Sequence, residues 1–254
     1  MLLENLYLVP LFIILCTIQS ILGIGVLVIG TPVLLIFNFE IIEVMLLLLP
    51  ISIITSSFNL LINKVKLSNT NFVEEKKITF NFFTICLPFV FLGLIFLNNY
   101  KSLINFDILV GAIILFSTLT KRIKKTEYVL SKNKNKLIIS LIGFVHGLTN
   151  SGGTLMTIFI LNKNKGDKKN SINQIHYFYF LLASVQFLIL IILTNYTFLL
   201  NRFDFLTIFL VIFFTSIIGN KINRSLGNRF FSNLIDVMAL IACFVLISKI
   251  FFSA

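Results

Sequence analysis

The chain reads as an all-α polytopic membrane protein built from two inverted repeats, each a glycine-rich broken or re-entrant helical segment followed by three transmembrane helices. Three observations predict this. Hydrophobic residues make up 57% of the 254 residues and charged ones 12%, with a mean hydropathy of +1.00. A soluble domain could not cover so much apolar surface with so few charges. Apolar runs of spanning length fill nearly the whole chain, and two of them are interrupted by glycine and polar residues at corresponding places in the two halves.

The first repeat is read as 1–125, with a broken segment 6–37 and spans 41–62, 78–97 and 104–120. The second is 126–254, with a broken segment 137–161 and spans 174–194, 203–220 and 231–251. The opening MLLENLYLVP carries an acid where a cleavable signal would be basic, and its apolar run continues past signal length, so no signal peptide is expected. Segment 6–37 is longer than one crossing needs and breaks near Gly23-Ile24-Gly25. Only Glu4 precedes it, so charge does not decide whether it re-enters or spans; by analogy with 137–161 it is taken as a hairpin. Pro50 and Pro88 are expected to kink their spans.

Charge sets the topology. Four loops, 63–77, 121–136, 162–173 and 221–230, hold 18 of the 21 Lys and Arg. If 137–161 crossed the membrane once, its two basic flanks would lie on opposite faces, against the positive-inside rule. A hairpin at 137–161 puts all four loops on one face, the cytoplasmic one. Each arm of that hairpin is too short to span alone, and a non-helical tip at that depth must be buried in protein or line a wet cavity. An odd number of crossings per half then inverts the second half on the first. The net charge of +11 is accounted for by these loops and not by a nucleic-acid surface.

The polar patch His146 to Thr154, within GFVHGLTNSGGTLMTIFIL, is the strongest site signal, and TIQSILGIGVLVIGTPVLL is its counterpart. Gly143 and Gly147 read better as helix-packing glycines. Asn150, Ser151 and Thr154 read better as a site, because clustered amide and hydroxyl side chains are costly in lipid. His146 lies one turn before Asn150; it either bonds a backbone carbonyl as the neutral ring or carries a proton. His176 is read as interfacial. Each glycine-rich segment is followed by a span with Ser, Thr, Asn or Gln, namely Ser52, Thr55, Ser56, Ser57 and Asn59 in one half and Ser184 and Gln186 in the other. Cys16, Cys86 and Cys243 sit apart in apolar runs and suggest neither disulfide nor metal. With no HExxH, GxSxG or intramembrane carboxylate pair, neither an enzyme nor a cofactor is expected.

At these residues the chain resembles the sulfite exporter TauE/SafE family of bacterial permeases. The family's early glycine-rich motif is matched by Gly23, Gly25 and Pro32 in GIGVLVIGTP, with Val26 and Leu27 replacing two further glycines. The second-half motif is matched by GLTNSGGTLMTIFIL, where Gly152 is kept and Gly153 and Thr154 stand at positions often occupied by proline. The closing stretch GNKINRSLGNRFFSNLIDVMALIACFVLI resembles the family's basic loop and last span. The resemblance implies a multi-pass protein of the bacterial inner membrane that moves sulfite, an organosulfonate or a related small anion.

For such an anion, a broken helix compensates lost hydration without a fixed charge, through unpaired N–H groups and the positive end of the helix dipole. The expected substrate-binding set is Gly23, Gly25, Gln19 and Thr31 from the first hairpin, with His146, Thr149, Asn150, Ser151, Gly152, Gly153 and Thr154 from the second. The expected partners are the small anion and the lipid bilayer. Alternating access by a secondary transporter is the leading reading; an anion channel and a non-transporting membrane scaffold are the alternatives. Nothing in the chain sets an oligomeric state, since lipid-facing and partner-facing apolar surfaces look alike.

Overall fold

A computed structural model describes residues 8–63, 79–123, 132–164, 167–194 and 202–252. Among the described residues the chain is all-helical. In order the helices are α1 (Leu8–Leu22), α2 (Val26–Ile36), α3 (Ile41–Ile62), α4 (Thr79–Tyr100), α5 (Phe106–Ile123), α6 (Lys132–Thr149), α7 (Gly153–Lys163), α8 (Lys168–Thr194), α9 (Arg202–Ser225) and α10 (Asn228–Phe252). Four of these, α3, α4, α8 and α9, are long and apolar enough to cross a bilayer. At 22 residues α3 is about 33 Å long, enough for a hydrocarbon core of roughly 30 Å. The protein is a polytopic membrane protein.

The expected broken segments resolve into helix pairs, α1–α2 and α6–α7. Loop 63–77 beyond Asn63, residues 124–131 of loop 121–136 with the 125/126 repeat boundary, and residues 6–7 of the first segment lie outside the described residues. Several helices begin earlier or end later than the apolar runs do. The span expected at 174–194 starts at Lys168, that at 203–220 continues to Ser225, and the arm expected from 137 starts at Lys132. Apolar composition marks the lipid-matched stretch, whereas helical hydrogen bonding continues into water until something ends it. The start of α3 is set by a capping box, in which the Glu40 N–H donates to Glu43 Oε2 at 3.1 Å.

In α4 the turn Phe82–Cys86 is π-helical, with the Leu87 N–H donating to Phe82 O. Pro88 follows directly; its missing N–H leaves one carbonyl of that turn without its usual donor, which explains why the irregularity falls there.

Helix α3 is the centre of the fold. Of its apolar window 72% is buried, against 33% in α4, α8 and α9. The outer helices turn phenylalanine and aliphatic side chains outward, among them Phe83, Phe91 and Phe96 on α4 and Phe205, Phe213 and Phe214 on α9. Polar side chains point inward, as Ser52, Ser56 and Asn59 do from α3. This inside-out arrangement suits a lipid surround, where exposed apolar patches of such extent are favourable.

Packing partners swap between the halves. Helix α1 lies along α9, and α6 lies along α4; α2 meets α10, and α7 meets α5; α9 packs on α3, and α4 packs on α8. The central pair is α3 against α8. The α4–α6 crossing is glycine-lined on both sides: a Cβ on Gly143 would stand 2.2 Å from Cys86 O, one on Gly147 2.2 Å from Val90 O, and one on Gly93 2.4 Å from Phe144 O. The packing role expected for Gly143 and Gly147 is therefore what the structure gives them.

Candidate functional site

The two breaks are built alike. The α1–α2 turn is made by Gly23 with φ +79°, the α6–α7 turn by Asn150 with φ +62°. Glycine and asparagine are the residues that tolerate this left-handed conformation at a helix C-terminus. In each turn the left-handed residue donates its N–H four residues back, Gly23 to Gln19 O at 2.7 Å and Asn150 to His146 O at 2.8 Å. The chain then reverses. Had α1 continued, Gly25 would lie about 15 Å along the axis from Leu15. Instead, a Cβ on Gly25 would stand 2.9 Å from Leu15 O and 2.7 Å from the Gln19 nitrogen. A Cβ on Gly152 would stand 2.6 Å from both Ile142 O and the His146 nitrogen.

These pairs share one offset. Residues 15 and 142, 19 and 146, 23 and 150, and 25 and 152 are each 127 positions apart, and α2 and α7 are both 11 residues long. Few side chains are shared at this offset, Gly25 with Gly152 and Leu34 with Leu161 among them.

Around the first break the polar side chains are held firmly. Gln19 is buried. Its Oε1 accepts from the Val26 N–H at the start of α2 (3.2 Å), and its Nε2 donates to Ser52 O, Ser52 Oγ and Ser56 Oγ at 3.0–3.2 Å. Asn59 reaches across from α3 to Ser20 Oγ (3.2 Å), and Asn220 of α9 donates to Asn59 Oδ1 (2.5 Å). Asn223, one turn further, donates to Ile21 O, a carbonyl of the last turn of α1. Lys168 donates to Asn223 O and to Leu226 O (2.6 Å), closing the end of α9. Thr55 bonds its own helix at Ile51 O (2.7 Å).

Around the second break the bonds are more local. Thr149 Oγ1 accepts from the Ser151 N–H (3.3 Å), Ser151 Oγ donates to Thr149 O (3.2 Å), and the Thr154 N–H and hydroxyl both donate to Ser151 O (3.2 and 2.9 Å). Gln186 of α8 donates to His146 O (3.2 Å) and lies 3.6 Å from Met45 Sδ. Gly153 is covered by Tyr179, whose hydroxyl sits 1.8 Å from where a Cβ would be. His146 Nδ1 and Nε2, Asn150 Oδ1 and Gln186 Oε1 are buried with no hydrogen-bond partner among the described residues.

One bond joins the two breaks: Asn150 Nδ2 donates to Thr31 Oγ1, in the middle of α2, at 3.1 Å. Of the residues expected to bind substrate, Asn150 and Thr31 are therefore brought together directly. Gln19, Gly23 and Gly25 form the first turn, His146, Thr149, Ser151, Gly152, Gly153 and Thr154 the second, and all of them are buried.

His176, expected near the membrane interface, is fully buried in the protein, because α8 starts at Lys168 and carries it two turns into the helix. Tyr179, Asn220 and Asn223 were not anticipated. The spacing Gly219-Asn220-Asn223 puts them on one helical face, the signal that could have found them once α9 was extended to Ser225.

A family model described as sulfite exporter TauE/SafE matches residues 8–246. Comparison with curated proteins and with solved structures found no match. With nearly the whole chain matched, this protein belongs to the sulfite exporter TauE/SafE family.

Proposed function

We propose that the chain is a secondary transporter that moves a small sulfur-containing anion, such as sulfite or an organosulfonate, across the membrane by alternating access. The anion would be held between the two broken-helix ends by the amides and hydroxyls of Gly23, Gly25 and Thr31 on one side and of Thr149 to Thr154 on the other. The Asn150–Thr31 bond carries this reading, because it brings the second break against the helix that leaves the first. Family membership supports the coarser part, a multi-pass permease for sulfur anions and not an enzyme.

The amides have partners that an anion can displace. The Val26 N–H is held at 3.2 Å by a neutral amide oxygen and the Ser151 N–H at 3.3 Å by a hydroxyl. A bond to an anion is shorter and roughly twice as strong as such neutral bonds. Gln19, Thr31, His146, Asn150 and Ser151 are all 0% exposed, so no open path reaches these side chains. That closure favours a carrier over an open anion channel, and the buried polar network is costly for a mere scaffold.

The reading includes an inverted repeat, 1–125 and 126–254, the plan on which many alternating-access transporters are built. It also puts the basic loops on the cytoplasmic side of the inner membrane. Counterflow in proteoliposomes tests the function. Sulfite or sulfonate loaded inside should drive transient uptake of labelled anion from outside. Flux without exchange-driven accumulation would make the protein a channel, and no flux with any sulfur anion would remove the transport reading.

A further inference from the structure

Gln19 and His146 occupy the same place in the two hairpins. Each carbonyl accepts the N–H of the left-handed residue four positions on, and each backbone nitrogen lies under a glycine, Gly25 or Gly152. The amide side chain of Gln19 is fully used, with its Oε1 on the first amide of α2 and its Nε2 on Ser52 and Ser56. His146 is as deeply buried, yet neither ring nitrogen has a partner among the described residues. Its Cβ would stand 2.7 Å from a Cβ on Gly152, so the ring starts from the N-cap of α7. The serines that hold Gln19 have Tyr179 and Ala183 at the positions 127 further on, so nothing equivalent ties the imidazole down. One hairpin thus carries a fixed amide at this place and the other an ionisable ring.

We infer that His146 is a proton site coupled to anion binding at the start of α7, an inference that rests on the anion-site reading above. The neutral ring makes no bond to the α7 terminus of the kind Gln19 makes to the Val26 N–H, and among the described residues its two nitrogens have no partner. The imidazolium, a cation with two donors, holds the anion itself. Coupling of this kind is reciprocal: a bound anion raises the proton affinity of His146 by the factor by which the proton raises anion affinity. Anion affinity therefore rises as pH falls, by at most about tenfold per pH unit for one linked proton.

Other titratable or charged residues lie on the helices packed against α6. Helix α4 carries buried Cys86 and exposed Tyr100, α5 carries Asp107, Lys121 and Arg122, and α7 has Lys163 at its far end. Helix α8, which reaches His146 O through Gln186, has Lys168 and Lys169 at its start, then buried His176, Tyr177 and buried Tyr179. The sequence holds two histidines, so His176 is the other imidazole that can take up the proton.

The test uses the purified full-length protein with sulfate and methanesulfonate, whose charge is constant between about pH 5 and pH 8. Wild-type protein should bind them more tightly at the lower pH and take up as much as one proton per anion from weakly buffered solution. His146→Gln, which installs the residue of the first hairpin, should bind with an affinity independent of pH and without proton uptake. His176→Leu, which installs the residue found at position 49, should behave as wild type. Binding without proton uptake in the wild type, uptake retained in His146→Gln, or uptake abolished in His176→Leu would each overturn the inference while leaving the anion site standing. Should His146→Gln not fold, uptake retained in His176→Leu assigns the proton to His146, and uptake lost there overturns it. Absence of anion binding at every pH is a different failure, that of the anion-site reading itself.

Discussion

Asn150 and Thr31, 119 residues apart in sequence, are joined at 3.1 Å by a bond between side chains that are both fully buried. Asn150 does two things at once. Its backbone makes the left-handed turn between α6 and α7, and its side chain reaches the middle of α2.

The two roles can be separated. Asn150→Gly keeps a residue suited to positive φ and removes the amide, whereas Thr31→Val keeps the shape and removes the hydroxyl. Each variant should lower stability by about 1–3 kcal/mol, since each leaves or exposes an unpaired buried group. The double variant should cost less than the sum by about 0.5–1.5 kcal/mol, the coupling expected of residues in contact. Thermal unfolding in detergent measures this cycle; strict additivity would show that the bond does not form in solution.

Gly153 and Tyr179 form a size-complementary pair. The hydroxyl of Tyr179 fills the space of the missing Cβ, while at positions 26 and 52 of the first half the corresponding residues are Val26 and Ser52. Gly153→Ala should destabilise by roughly 1–3 kcal/mol through overpacking. Combined with Tyr179→Ser, much of that loss should return. A double variant worse than the sum of its parts would contradict the pairing.

Lys168 should act as a clasp on the end of α9. Lys168→Met removes the donor to Asn223 O and Leu226 O and should cost about 1.5–3 kcal/mol, the range for bonds made by a charged group. Burial holds the Lys168 ammonium below the ordinary lysine range. Between that lowered value and about 10.4 the unfolded chain binds more protons than the folded one, so the contribution of Lys168 grows as pH rises. Melting temperatures of the wild type and Lys168→Met across that alkaline window test the sign; a gap that narrows with pH would contradict it.

Much of this architecture is legible in the chain itself, and what is not has physical reasons. The span 41–62 coincides with α3 because Glu40 and Glu43 mark its start in charge as well as in capping. Both breaks are visible because glycine, asparagine and serine have few other reasons to interrupt an apolar run. The 127-residue register is invisible in the side chains, since lipid accepts almost any apolar residue and the two breaks match in backbone geometry. Gln19 and His146 share neither size nor charge, and they correspond only through the turns that follow them. The burial of His176 is hidden because the polar start of α8 looks like loop, although the helix continues through it. Asn223 was hidden likewise beyond the apolar part of α9, and Asn220 is the last residue of the expected span.

Single cysteines at Asn135 and Asn164 test the second hairpin. Both should label from the cytoplasmic side in right-side-out and inverted vesicles compared in parallel, and the three buried native cysteines should react slowly. Labelling from opposite sides would replace the hairpin with a single crossing and remove the inverted repeat.

The central claim is that the paired breaks bind a sulfur anion. Its most direct test is the melting temperature of the purified protein titrated with sulfite, sulfate, thiosulfate and methanesulfonate. At least one anion should stabilise the wild type saturably, by about 2.7 kcal/mol at one hundred times its dissociation constant, and Asn150→Gly should shift that titration at least tenfold to higher concentration. No saturable shift with any of the four anions, or an unchanged titration in Asn150→Gly, would contradict the claim.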